Sequence, residues 1–174
     1  MSKIEVVLFN PEIPQNKGNI MLTCVALGIK LHLIEPMGFK IDDTKLRRSA
    51  LDYYEHLNFE VHKSYTDFIN KNPGIYYYLT RYGEKPYTEI EFKNQNQKIY
   101  VCFGSESHGI DRNLLVNNLD NCFRIPTTDK VRSLNLSNSA AIVLFEAMRQ
   151  NNFEGLEFSE PETLKGKDFL KNNY

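Results

Sequence analysis

Short apolar runs alternate along this chain with stretches whose apolar residues recur at helical spacing. Ile4–Phe9 has the continuous apolar character of a buried strand. Asn16–Gly28 places Ile20, Cys24 and Leu27 on one helical face and stops at a glycine. Leu31–Ile34 is a second short strand, closed by Pro36 and Gly38, and Asp42–Arg48 reads as a helical turn. Phe59–His62 predicts a strand, Tyr65–Asn70 a short helix, and Ile75–Leu79 a strand rich in aromatic and β-branched residues. Lys98–Phe103 has the clearest buried-strand pattern. Asp111–Asn117 predicts a helix and Cys122–Ile125 a strand closed by Pro126. Ser137–Gln150 carries the strongest helical period, with Ala141, Leu144, Phe145 and Met148 on one face and Ser137 as its cap. Strands separated by helices at this rhythm predict an α/β fold with a mostly parallel sheet flanked by helices on both faces.

Length and composition narrow the class. The 174 residues suit one domain, read as 1–150, and the polar stretch 151–174 reads as a loosely held tail. Apolar residues make up 41% and charged residues 25%, which is ordinary for a globular protein, and a net charge of −1 provides no global attraction to nucleic acid. No apolar run approaches the length needed to cross a bilayer, and the amino terminus lacks a signal-peptide pattern, so no membrane partner is expected. Cys24, Cys102 and Cys122 sit among apolar neighbours at wide spacing. They read as buried, reduced thiols of a cytoplasmic protein rather than as a disulfide framework or zinc site.

The candidate chemistry lies in two strand-to-loop exits. Phe103-Gly104-Ser105-Glu106-Ser107-His108-Gly109 follows one strand, and Arg124-Ile125-Pro126 with Ser133-Leu134-Asn135-Leu136-Ser137 follows another. Such exits from one sheet are where α/β proteins build ligand sites. These two offer main-chain amides, small hydroxyls, a carboxylate and a carboxamide, a set suited to a small polar ligand better than to a metal. An ordinary doubly wound nucleotide site needs a glycine-rich loop after the first strand. The stiff Asn10-Pro11-Glu12-Ile13-Pro14 stands there instead.

Together with Asn10–Ile20, these blocks resemble the three motifs of the SPOUT RNA 2′-O-methyltransferases. The resemblance runs in register from about residue 4 to 150, and it is closest to the subgroup that methylates the wobble nucleotide of certain leucine tRNAs. It implies a deep trefoil knot in the carboxyl half, S-adenosylmethionine as methyl donor with S-adenosylhomocysteine as product, no metal, and the anticodon stem-loop of tRNA as partner. It also implies a homodimer whose sites are completed by the partner chain. The apolar faces of the first-motif and last helices are candidates for that interface, or else simply cover the sheet.

By the same resemblance, Leu79, Gly104, Ile125, Ser133 and Leu134 hold the cofactor, largely through main chain. Gly104 allows close backbone approach. Asn16, Glu106, Arg132, Ser133 and Asn135 are the candidate catalytic residues, with Ser133 and Asn135 nearest the reacting 2′-hydroxyl. A capping loop accounts equally for the 133–137 stretch, a solvated carboxylate for Glu106, and a helix N-cap for Asn16. Lys45, Arg47, Arg48 and Tyr53 are the candidate RNA contacts, joined by Arg81, Lys85, Lys130 and Arg132 if these converge. Tyr53 and Tyr54 are equally suited to a core or an interface.

One departure from the family stands out. The arginine expected six residues after Asn16 is Leu22, which can neither accept a proton nor supply charge. Arg132 or Arg48 is the expected substitute. The alternative is a catalytically weak or silent RNA-binding dimer that keeps the cofactor pocket.

Overall fold

The computed structural model describes residues 3–38, 51–93 and 96–173. Seven parallel strands form one sheet in the order β3-β2-β1-β6-β4-β7-β5. They are β1 (Ile4–Phe9), β2 (Lys30–Ile34), β3 (Phe59–His62), β4 (Ile75–Leu79), β5 (Lys85–Pro86), β6 (Ile99–Phe103) and β7 (Cys122–Arg124). The helices are α1 (Pro14–Leu27), α2 (Tyr65–Lys71), α3 (Arg112–Val116), α4 (Leu136–Gln150) and α5 (Phe169–Asn173), with a short 3₁₀ turn at Leu51–His56.

The two central strands, β1 and β6, are buried along their whole length, as the apolar runs require. Alternate residues serve opposite faces. Val6, Leu8, Leu31, Leu33, Val101 and Phe103 pack beneath α1 and α4, meeting Ile20, Cys24, Val143 and Leu144. Val7, Phe9, Tyr78, Tyr100 and Cys102 point the other way, onto Phe68 of α2 and Leu115 near the end of α3. All three cysteines are free and buried. At about 25 cal/mol per Å² of apolar surface, burial of each large side chain contributes about 2 kcal/mol before the entropy cost of ordering it.

Several predicted boundaries move for identifiable reasons. Pro14 occupies the start of α1, where its missing N–H costs nothing. The N-cap is therefore Ile13, and Asn16 lies inside the first turn rather than capping it. At the other strong helix the cap is Asn135, whose Oδ1 accepts from the Ser137 amide, so Ser137 is the second helical residue. The core face of α4 is Ala140, Val143, Leu144, Ala147 and Met148, while Phe145 is 48% exposed and lies off it. Leu144, Met148, Ile20 and Cys24 belong to the core of a single chain and offer no surface to a partner. Strand β5 is only two residues long and has no periodicity to read. Past α4, Phe153 and Leu156 still pack against the core. The predicted helical turn at 42–48 lies outside the described residues.

Parallel pairing puts every strand's carboxyl end on one edge. Leu8, Phe103 and Leu79 are in register there, and Leu79 also faces Phe123. The chain runs outward from β1 through β2 to β3, then returns to fill the other half of the sheet. Strand order therefore reverses beside β1, where sheets of this kind open a crevice.

Candidate functional site

The loops leaving β1, β4, β6 and β7 enclose a cavity of about 320 Å³ at that edge. Asn16, Leu79, Gly104, Glu106, Ile125, Arg132, Ser133, Leu134 and Asn135 all line it. Thus the sequence-predicted cofactor and catalytic candidates converge on one space. Tyr53 does not line it. It is half exposed on the 3₁₀ turn, in a shallow cleft with Met21, Leu22, Val25, Tyr54 and Leu57. Lys45, Arg47 and Arg48 lie outside the described residues.

A hydrogen-bonded chain ties the three motif segments together. Glu106 accepts from the main-chain amides of Glu12 (3.0 Å) and Ile13 (3.2 Å) and from Nδ2 of Asn16 (3.0 Å). Oδ1 of Asn16 accepts from Nδ2 of Asn135 (2.9 Å). Oδ1 of Asn135 then accepts from the amide and hydroxyl of Ser137, at 2.9 and 2.7 Å. Every amide orientation follows from the two ends. A carboxylate only accepts, so Asn16 must turn its NH2 toward Glu106. A helix amide only donates, so Asn135 must turn its oxygen toward Ser137. Asn135 itself lines the cavity.

Glu106 is therefore neither a solvated surface carboxylate nor an unengaged base. Both of its oxygens bind the first motif. Glu12 returns the contact by accepting from the amide (3.1 Å) and hydroxyl (2.6 Å) of Ser107. The Ser107 hydrogen bonds hold the Glu12 carboxyl below the usual carboxylate range. His108 is an exposed loop residue whose Nδ1 meets the Ser107 hydroxyl at 2.6 Å.

Gly104 has a steric reason within its own loop. The loop folds back so that Ser105 and Gly109 exchange main-chain hydrogen bonds of 3.1 and 2.9 Å. A Cβ on residue 104 would stand 2.1 Å from the Gly109 carbonyl carbon and 2.4 Å from the Ile110 nitrogen. The loop's own backbone excludes a side chain there.

Leu22 does not line this cavity; it is 43% exposed on the outer side of α1. The guanidinium groups that do line it belong to Arg81, Arg124 and Arg132. Arg124 was missed as a site residue although it stands inside a recognised motif, and its Nε is buried without a hydrogen-bond partner among the described residues. Tyr82, also on the wall, carries no sequence signal beyond being an aromatic residue after a strand.

With this geometry in view, similarity to known proteins becomes decisive. The profile of the SpoU rRNA methylase family matches residues 3–145. The chain belongs to that family. A Geobacillus stearothermophilus relative, named a putative tRNA (cytidine(34)-2′-O)-methyltransferase, is 48% identical over 154 residues, covering 88% of this chain and 98% of that one. A crystal structure of a putative RNA methyltransferase from Bacillus anthracis has 48% identity and a TM-score of 0.84, covering 90% of this chain and 99% of that one. A further structure, described as giving insight into 2-OH methylation of C/U34 on tRNA, has 35% identity and a TM-score of 0.79 and covers 87% and 97% of the two chains. As a SpoU methylase, the chain is an RNA methyltransferase, and the cavity at the strand ends is the place in this fold where its motif residues meet.

Proposed function

We propose that this SpoU methylase transfers a methyl group from S-adenosylmethionine to the ribose 2′-hydroxyl of the wobble nucleotide, cytidine or uridine 34, of tRNA, with leucine tRNAs as the substrates suggested by resemblance. The observation that carries the reading is the Glu106–Asn16–Asn135 chain, which fixes three distant motif segments around one cavity. The names of the 48% and 35% identical relatives supply the substrate.

The cavity suits a nucleoside-containing donor. Its volume is in the usual range for ligand pockets. Leu79, Phe103, Ile125 and Leu134 supply apolar wall for a flat ring, and the main chain of 104–110 and 125–134 supplies polar groups. Nε of Arg124 is a buried donor without a hydrogen-bond partner among the described residues, which supports a polar ligand beside it. When bound, the donor supplies an electrophilic methyl group on a sulfonium whose charge is lost in the transfer.

The chain's own residues then align the ribose. Ser133 and Asn135 hold the 2′-hydroxyl oxygen in line for attack. Arg132 supplies the cationic group beside the oxygen as its proton passes to solvent water, in place of the arginine absent at Leu22. Asn16 and Glu106 are positioning residues that act through Asn135. The silent-binder alternative is not favoured, because relatives 41–48% identical to this chain are named tRNA methyltransferases.

The same reading includes a carboxyl-half knot, a homodimer and a cytoplasmic enzyme of residues 1–150 with 151–174 appended. The knot is the topology that the motif resemblance implies for this half of the chain. The exposed Leu22 and Phe145 on the outer sides of α1 and α4 suit a second copy. No helix among the described residues is long and apolar enough to cross a membrane.

The test is methyl transfer from labelled donor to unmodified tRNA, with the product mapped to its nucleotide. Wild type is expected to label position 34, and Asn135→Ala to transfer about a hundredfold more slowly. Label in the base, at another position, or absent altogether overturns the assignment.

A further inference from the structure

The turn that leaves β4 presents an aromatic ring that no step above uses. Tyr82 is 55% exposed, yet it sits on the wall of the cavity. The turn beneath it is rigid. The Thr80 amide donates to the Phe123 carbonyl (2.9 Å), the Gly83 amide to the Thr80 carbonyl (3.2 Å), and the Tyr82 amide to Oγ1 of Thr80 (3.3 Å). Gly83 lies so close to β7 that a Cβ there would meet the Phe123 backbone at 2.5 Å.

The ring is braced as well as exposed. The Arg81 guanidinium lies over it, 4.7 Å from the centroid, and donates to its hydroxyl at 2.8 Å. Arg112 approaches the same hydroxyl. The Arg81 contact, with a smaller contribution from Arg112, holds the phenol below its usual range. The cation thus lies against the ring while more than half of the side chain remains exposed. Ordering an exposed ring on binding costs side-chain entropy, and the Arg81 contact reduces that cost. Its surroundings, with Arg81, Arg124 and Arg132 on the cavity wall, suit a flat π system attached to a phosphate, in a chain whose overall charge gives no such attraction.

We propose that Tyr82, braced by Arg81, is a stacking subsite for an unpaired nucleobase of the RNA presented at the cavity mouth. Aromatic platforms flanked by guanidinium groups grip single-stranded bases in this way, tolerating different bases because every base has a π face. The subsite rests on the RNA-methylating reading above and deepens it, adding a contact that selects for a splayed-out nucleotide over a paired one.

The chain contains no tryptophan, so Tyr82→Trp creates a single indole emitter at the subsite. Titrating this variant with an anticodon stem-loop is expected to quench its emission saturably. A stem-loop with an abasic target nucleotide is expected to bind without quenching. Tyr82→Leu, which keeps apolar bulk but removes the ring, is expected to lose about ten- to hundredfold in RNA affinity, with Tyr82→Phe restoring most of it. If Tyr82→Leu instead abolishes calorimetric binding of S-adenosylhomocysteine and leaves RNA affinity unchanged, the ring belongs to the donor's part of the cavity and the proposal is overturned. If wild type methylates the stem-loop while the indole emission of the Tyr82→Trp variant does not respond to it, the stacking subsite is wrong and the function stands. If no RNA is bound or methylated, both fail. Emission that changes with protein concentration in the absence of RNA assigns the ring to a contact between copies and overturns the proposal.

Discussion

At the scale of single residues, the site depends on the direction of its hydrogen bonds more than on their number. Glu106 fixes the polarity of the whole chain because it has no proton to give. Glu106→Gln preserves shape but brings an NH2 toward donors at Glu12, Ile13 or Asn16. A lost charge-assisted contact costs about 1.5–3 kcal/mol. We expect a lower urea midpoint, together with a fall in kcat larger than any change in donor affinity. A kcat unchanged within twofold would show that Asn135 keeps its orientation without the carboxylate. The identities of these residues were legible in the sequence because motif spacing marks them. Their relations were not, since Asn16 and Asn135 are 119 positions apart and only the folded sheet brings them together. Capping roles were misread for a similar reason. Asn135 and Ser137 are both good N-cap types, and choosing between them requires knowing which one turns its oxygen inward.

At the scale of elements, loops carry more constraint than the helices they join. Strands β1 and β6 were readable because burial on both faces demands unbroken apolar runs, and the partly buried β4 because of its run of aromatic residues. The two-residue β5 and the doubling-back of 104–110 depend on neighbours far along the chain, so no local pattern marks them. Gly104 shows the consequence. Gly104→Ala forces apart the Ser105–Gly109 bridge, because the clash is with backbone, which cannot rotate away. We expect a destabilisation of about 3 kcal/mol, and loss of S-adenosylhomocysteine binding even at temperatures where the variant remains folded. Thermal melts with and without the nucleoside check both parts. A ligand-induced rise in Tm equal to that of wild type would show that the loop tolerates the side chain.

At the scale of the whole molecule, a polar seam crosses the otherwise apolar sheet on the face away from α1 and α4. Glu5 accepts from Nε2 of His32 (2.6 Å), and Nδ1 of His32 meets Nε2 of His62 at 2.9 Å. Lys98 also reaches Glu5, Lys30 holds Glu60, and Asp67 of α2 stands 3.8 Å from Nδ1 of His62, which has no hydrogen-bond partner among the described residues. His32, Glu60 and His62 bring possible ligand atoms within 4.8 Å, but both ring nitrogens of His32 are already engaged. Burial and the neighbouring His32 push the His62 imidazole below its ordinary value of 6.5. Burial alone would raise the Glu5 carboxyl, yet hydrogen bonds from His32 and Lys98 outweigh it and hold the group below 4.5. The signs agree. Unfolded His62 takes up a proton more readily than folded His62, so stability drops as pH falls below about 6.5. Unfolded Glu5 does the same below about 4.5, adding a second loss. Urea midpoints measured from pH 8 to 4 are expected to show both legs, and His62→Asn is expected to flatten the upper one. A wild-type profile level between pH 7 and 5 would contradict the assignment.

The Asn16–Asn135 bridge has one more consequence, which concerns time. A chain leaving the ribosome completes its first strand and helix early, but the carboxamide that orients Asn16 arrives only with residue 135, and the helix that seats it ends at residue 150. The catalytic edge acquires its shape only once these residues have been made, so a product terminated before residue 135 is born without a working pocket.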